Sequence, residues 1–312
     1  MHHEYAVEPA AIGSSWETFR YIFEKFGFQN GRLISRFPNS WPLMVLEAAS
    51  EAGIGDLDRK KIEEKLRQGR RTALIRMGRH YDPALGGWVE NAAASHASRP
   101  FRGVIAQQGV QLEDALISSA DLEDDHPQML APRNQDIPRT IADIARACSL
   151  LLHAARVIDF VDPYFNFVTI GQDYRGPLER MMRTLHAAGK ANVRIRIHYS
   201  ARHAHASQAD ILDDPGRWVN LSIPEGYELH LYAWQQREGG ERLHDRFLLC
   251  DCGGMQAGIG FAASQAGEYV KFSLLDNAYA QQQRLKFTDG STVYAQDGRG
   301  VRVKSNGEAE FI

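Results

Sequence analysis

His244, Arg246 and Asp251 stand in the stretch RLHDRFLLCDCGGMQAGIGF, residues 242–261, with the spacing His-x-Arg-x4-Asp and a glycine, Gly258, seven positions further on. Histidine supplies a base or nucleophile near neutral pH, and a guanidinium holds the non-bridging oxygens of a phosphate. Residues two apart on an extended strand face the same way, so the spacing predicts that His244 and Arg246 project together onto one side of a sheet. That pairing suits attack on phosphorus by an imidazole while the guanidinium meets the charge on the phosphate oxygens. Asp251 falls where the apolar run FLLC ends, and is expected to fix the loop and the His and Arg side chains rather than to react.

These side chains need a sheet to hold them, and residues 138 onward read as one. Pro138 and Thr140 open a helix with Ile141, Ile144, Cys148, Leu151 and Leu152 on its apolar side, and it runs into the strand RVIDFVDPYF. A helix after Pro177, ended by Gly189, leads to a second strand, VRIRIHYS, which makes a β-α-β unit with parallel strands. YELHLYAW and RFLLCD extend the sheet. Asp289-Gly290, Asp297-Gly298 and Asn306-Gly307 are hairpin signals and predict a C-terminal β-meander.

The first hundred residues read as helical. SSWETFRYIFEKFGF places Trp16, Phe19, Ile22, Phe23 and Phe26 at helical spacing behind a serine cap; FPNSWPLMVLEAASEAG carries Pro42 in a first turn; DLDRKKIEEKLRQG begins at an aspartate and stops near Gly69. Residues 113–137 mix acidic residues with Pro127 and Pro132 and show no apolar period, which predicts a linker. The expected division is therefore a mainly helical domain at 1–112, a linker at 113–137 and an α/β domain at 138–312.

The net charge of −3 excludes a globally basic nucleic-acid binder. Between Arg59 and Arg79, however, nine Lys/Arg stand against two acids, and Arg67, Arg70, Arg71, Arg76 and Arg79 are candidates to meet phosphates. No apolar run is long enough to span a membrane, and the first residues lack a basic segment followed by an apolar one, so a cytoplasmic protein is expected. Cys148, Cys250 and Cys252 lack zinc or disulfide spacing and read as reduced structural thiols. No Walker-type loop, dinucleotide fingerprint or Gly-x-Ser-x-Gly elbow is present, and no cofactor is assigned.

With His244, Asp251 and Gly258 in place, the stretch resembles the phospholipase D-like superfamily, whose motif is His-x-Lys-x4-Asp-x6-Gly-Ser-x-Asn. The resemblance covers residues 138–285 and implies a mixed β-sheet flanked by helices. Arg246 stands at the lysine position, and Ile259 and Phe261 replace the serine and asparagine, for which Ser264 or backbone amides are the candidate substitutes. None of the other eleven histidines has Lys or Arg two residues later. Family enzymes use two histidines, one forming a phosphohistidine and one protonating the leaving oxygen, so the resemblance implies a homodimer working without a metal; DNA or RNA is expected over lipid because no apolar docking surface is evident and the N-terminal module carries a basic run. In such nucleases a downstream carboxylate orients the histidine, and Glu268 and Asp276 are the candidates by spacing. A bacterial antiviral effector would suit this architecture by analogy with the family.

His198, at the end of its strand, and Asp162, in DPYF, are further candidates to line the site. His198, His203 and His205 with Asp210 lack a fixed ligand spacing, and no metal is assigned. Trp234 reads either as a stacking face or as core. Two other readings stand beside the enzyme. One is a non-catalytic module of the same fold, like the membrane-binding domain of MIT-domain proteins, which holds phosphates, lipid headgroups or a protein partner. The other is a DNA-binding regulator that dimerises through its α/β domain.

Overall fold

The computed structural model describes residues 1–107, 115–168 and 171–312. The chain forms two compact units, His2–Pro132 and one that holds Arg133–Ile312. The division therefore falls inside the stretch expected as a linker. That stretch carries a strand at Leu116–Ser118 and the start of another at Asn134, while its residues 113 and 114 lie outside the described ones.

The first unit holds more helix than strand, but its helices surround a wholly parallel five-stranded sheet that the sequence reading lacked. Its strands are β1 (His3–Val7), β2 (Arg32–Ser35), β3 (Leu74–Ile75), β4 (Gly103–Ala106) and β5 (Leu116–Ser118), in the order β3-β2-β1-β4-β5. The helices connecting them are α1 (Pro9–Ile12), α2 (Trp16–Glu24), α3 (Trp41–Glu51), α4 (Asp56–Thr72) and α5 (Trp88–Ser98). Strands of two to five residues leave no room for an alternating pattern, and β4 is buried along its whole length, so LIS, LI and GVIA look like apolar connectors between helices. Two of the expected helices are close to their reading. Ser15 Oγ accepts the Thr18 N–H at 3.0 Å to cap α2, and Pro42 lies in the first turn of α3. The third, α4, runs through Gly69 rather than stopping there. A Cβ on Gly69 would meet Phe23 Cζ at 2.2 Å, so this glycine serves the crossing of α4 over α2.

The second unit holds α6 (Ile141–Ala154), α7 (Arg175–Ala187), α8 (Gln208–Asp213), α9 (Pro215–Trp218) and α10 (Asn277–Leu285) around a mixed ten-stranded sheet. Its strands are β6 (Asn134–Pro138), β7 (Ile158–Val161), β8 (Arg194–Ser200), β9 (Glu228–Gln236), β10 (Phe247–Cys250), β11 (Gly254–Ala257), β12 (Tyr269–Leu274), β13 (Tyr294–Gln296), β14 (Val301–Lys304) and β15 (Ala309–Phe311). The order is β15-β14-β9-β8-β7-β10-β11-β12-β6, with β13 also on β9. Thr140 caps α6 by accepting the Asp143 N–H, and β7, β8 and β9 run parallel, as the β-α-β pattern requires. From β10 onward the pairing is antiparallel.

The glycine-rich stretch after Asp251 holds a strand, β11, that the sequence did not signal. One expectation changes here. The C-terminal strands are not a free meander: β13 and β14 both pair with β9, and only Asn306-Gly307 sits in a hairpin turn, between β14 and β15. One face of the sheet buries Val161, Phe247 and Leu249 against Ala280 of α10 and Phe287, each of the strand side chains contributing roughly 1.5–3 kcal/mol. Cys148, Cys250 and Cys252 are buried and unpaired.

Candidate active site

Register fixes where the motif lies. Phe247, the first residue of β10, is opposite Val161, the last of β7, and Val161 is beside His198 near the end of β8. The residues just ahead of β10 therefore sit at the carboxyl ends of the parallel strands, where α/β sheets commonly place their sites. His244 and Arg246 occupy this lead-in rather than the strand itself, which corrects the expectation that a strand projects them.

His244 is more than half exposed. Its Nδ1 lies 3.2 Å from the carbonyl oxygen of Arg242, and a carbonyl only accepts, so Nδ1 carries the proton. The lone pair is then on Nε2. Asp245 Oδ1, at 3.7 Å from Nε2, is beyond hydrogen-bond reach. The imidazole is thus held in the tautomer that presents a nucleophilic nitrogen.

Arg246 is held on three sides. Its Nη1 donates to the Gly258 carbonyl at 3.1 Å, its Nε faces Asp162 Oδ1 at 3.7 Å, and its guanidinium lies 4.7 Å from the centre of the Tyr164 ring. Asp162 is fully buried and its Oδ1 accepts the Tyr164 N–H at 3.0 Å. Burial raises its carboxyl to about 6, against the lowering pull of the Tyr164 N–H and of the Arg246 charge. Gly260 has φ +93°, and a Cβ there would lie 2.4 Å from Asp162 Oδ2 and 3.3 Å from Arg246 Cδ. A planar guanidinium fits this slot of carbonyl, carboxylate and ring face better than a lysine ammonium.

The other residues singled out in the sequence lie elsewhere or do other work. Asp251 is at the far end of β10, where its Oδ1 accepts the N–H groups of Arg156 at 2.8 Å and Val157 at 3.2 Å and so pins the turn into β7. Glu268 pairs with the buried Arg139 at 2.7 Å, and the Ser264 N–H donates to the Arg139 carbonyl at 2.9 Å. Asp276 precedes α10 and pairs with Arg133 at 2.9 Å. Ile259 is exposed, whereas Phe261 is buried, edge-on to Phe160 and 5.6 Å from Phe272.

His198 belongs to a buried relay that sequence reading missed. The Trp234 indole N–H donates to His198 Nδ1 at 3.0 Å, so His198 Nε2 carries the proton and donates to Asp159 Oδ1 at 3.1 Å. Asp159 also receives Arg196 Nη2 at 2.6 Å and Arg284 Nε at 3.0 Å. Burial resists ionisation of Asp159, but His198 and Arg196 together hold its carboxyl below the ordinary range. Burial lowers His198 as well, against the pull of Asp159, and keeps the ring neutral. The signal present in the sequence was the polar Asp159, Arg196 and His198 inside the apolar runs VIDFV and RIRIH.

In the first unit the basic run divides. Arg67 pairs with Glu64 on the surface, and Arg70, Arg71 and Arg76 are exposed around the end of α4 and β3. Burial, together with the charges of Arg70 and Arg76, lowers the Arg36 guanidinium, which marks these three as neighbours. Arg79 is buried: it bonds Glu4 at 2.7 and 2.9 Å and covers the Phe101 ring at 3.6 Å, so it does not face phosphates. Among the described residues no three His, Cys, Asp or Glu side chains gather as a metal cluster, and no helix is long and apolar enough to cross a membrane.

No protein-family model and no curated protein sequence matches the chain. Among solved structures it is similar to NucT from Helicobacter pylori, at 10% identity and a TM-score of 0.30, over 48% of this chain and 89% of that one. It is also similar to TrmBL2, an archaeal chromatin protein whose structure shows a novel mode of DNA binding, at 14% identity and a TM-score of 0.26, over 53% of this chain and 54% of that one. Both likenesses are distant.

Proposed function

We propose that the chain is a phosphodiesterase of the phospholipase D-like kind, acting on nucleic acid as a homodimer without a metal or other cofactor. The observation that carries this reading is the Nε2 lone pair of His244, set by the Arg242 carbonyl, two residues from an arginine fixed by Gly258, Asp162 and Tyr164. His244 Nε2 attacks phosphorus, and the bond from phosphorus to the leaving oxygen breaks. Arg246 meets the charge on the non-bridging oxygens. The proton for the leaving oxygen comes from Nε2 of His244 of the partner subunit, since the sequence holds one motif; that ring enters the step as the imidazolium and, left neutral, then takes a proton from the water that releases the phosphohistidine. Arg67, Arg70, Arg71 and Arg76 add phosphate contacts along the polymer.

The test is cleavage of labelled DNA and RNA in EDTA. The wild type is expected to cut, to yield an acid-labile phosphohistidine at His244, and to sediment as a dimer; His244→Ala is expected to lose at least about 10³-fold in rate. Activity of His244→Ala within tenfold of wild type sinks the nucleophile, and a monomer at all concentrations sinks the two-histidine step.

Phe261 favours a second reading. Buried at the position where the family places a hydrogen-bonding asparagine, it offers the phosphate nothing. The pocket then binds a phosphate without turning it over, and the same assay decides: wild-type binding without cleavage selects the module.

A further inference from the structure

Beside His244 the second unit opens a cleft of about 440 Å³, within the ~300–1,000 Å³ range of ligand sites. Its lining comes from the carboxyl end of β8 and the segment after it, the carboxyl end of β9, Tyr164 from the loop after β7, Asp297 after β13, and Arg242 from the approach to His244. Three features specify what it takes. The guanidinium groups of Arg202 and Arg242 make no hydrogen bond or ion pair among the described residues, and the one carboxylate in the lining is Asp297. Two cations against one anion favour an anionic ligand. Second, the His203 ring lies 4.6 Å from Tyr164, inclined by 32°, and Tyr164 in turn carries Arg246. Both rings are exposed, so the stack that begins at the phosphate-binding arginine ends on an open aromatic surface. Third, Gln235 lines the cleft with its side-chain amide unpaired among the described residues, a donor and an acceptor for the edge of a base.

We propose that this cleft is a subsite for one unstacked nucleoside next to the scissile phosphate, with Arg202 and Arg242 on the flanking phosphates and the base against His203. It rests on the phosphodiesterase reading for the identity of the polymer and adds its class: single-stranded nucleic acid. A base within a duplex is stacked and paired and presents no face to His203, whereas stacking on aromatic rings beside cationic side chains is how single strands are held without sequence preference. A lipid headgroup uses the arginines but has no planar face to stack on the rings.

The test is fluorescence anisotropy of a labelled eight-nucleotide oligothymidylate on full-length His244→Ala protein, with a duplex of equal length and anionic lipid vesicles as competitors. Single-strand binding is expected to be at least tenfold tighter than duplex binding and resistant to vesicles. Arg202→Ala/Arg242→Ala is expected to weaken it tenfold or more, and His203→Ala about fivefold or more, with His203→Phe restoring it. All three positions are exposed, and unchanged circular dichroism melts would show that folding is kept. Equal affinity for duplex, displacement by vesicles, or less than twofold loss in the arginine double variant overturns the cleft. The two proposals fail separately. Wild-type protein that hydrolyses bis(p-nitrophenyl) phosphate but binds single and double strands alike refutes the subsite alone. Protein inert toward every diester, whose single-strand binding still depends on these residues, supports the subsite and refutes the enzyme.

Discussion

Arg246 Nε faces Oδ1 of the buried Asp162 at 3.7 Å, close enough to pair charges and too far to share a proton. The aspartate therefore orients the arginine without neutralising the cation that phosphate needs. Asp162→Asn keeps the acceptor for the Tyr164 N–H and removes the charge. It is expected to lower cleavage by about 10- to 100-fold, chiefly in kcat, as loss of electrostatic orientation does.

The same carboxyl gives a pH signature. Its folded value of about 6 is above the ordinary 3.8, so the folded chain holds this proton more tightly than the unfolded chain. The resulting stability is present below about pH 4 and is lost as pH rises to about 6; at pH 7 the ionised, buried group disfavours the fold by on the order of 3 kcal/mol. Asp162→Asn is thus expected to raise the melting temperature at pH 7 but not at pH 4. An equal change in melting temperature at both pH values refutes this role.

Gly260 and Gly258 make a contrasting pair. At Gly260 an alanine faces both φ +93° and Asp162 Oδ2 at 2.4 Å, so Gly260→Ala is expected to destabilise by about 2 kcal/mol or more and to displace Arg246. At Gly258, where φ is ordinary and the nearest atom is the Lys271 carbonyl oxygen at 3.6 Å, alanine is expected to change stability by less than about 1 kcal/mol. Denaturant unfolding compares the two. The sequence motif points to Gly258; the space points to Gly260.

That inversion shows what the sequence could carry. Thr140 before α6 and the apolar runs of β7, β8 and β9 are local signals, and they gave the α/β order of the second unit. β3 spans two residues and carries none, so the parallel sheet of the first unit was unreadable. His244 and Arg246 were legible because the motif is contiguous. The relay of Asp159, His198 and Trp234 was not, because its members lie 36 and 39 residues apart and meet only through strand pairing.

The basic run supplies a control for nucleic-acid binding. Arg79 and Glu4 form a buried pair with side chains 3% and 9% exposed, and removing one member of such a pair costs about 3–5 kcal/mol. Arg79→Ala is therefore expected to unfold the first unit and lose binding as a consequence, whereas exposed Arg70→Ala is expected to stay within about 0.5 kcal/mol of wild type and weaken binding with a shallower salt dependence. Thermal unfolding beside binding titrations at several salt concentrations separates them. A stable Arg79→Ala protein with weakened binding would return Arg79 to the phosphate-binding surface.

Trp234 tests the buried relay. Its indole N–H is the donor that fixes His198 in the Nε2–H form, so Trp234→Phe leaves the Nδ1 acceptor unpaired in the core and opens space beside Phe287. The unpaired acceptor alone is worth about 1–3 kcal/mol, and the lost volume adds to it. The pH dependence follows from His198 being lowered below its ordinary 6.5: the unfolded chain takes up a proton there that the folded chain refuses. The His198 contribution to stability is therefore expected to be full above that value and to be lost as pH drops through it, opposite in sign to that of Asp162. Imidazole ¹⁵N shifts should report a protonated Nε2 and a bare Nδ1 at neutral pH. A doubly protonated His198, or a Trp234→Phe protein within about 0.5 kcal/mol of wild type, would show that the Trp234 N–H does not fix His198 in its Nε2–H form.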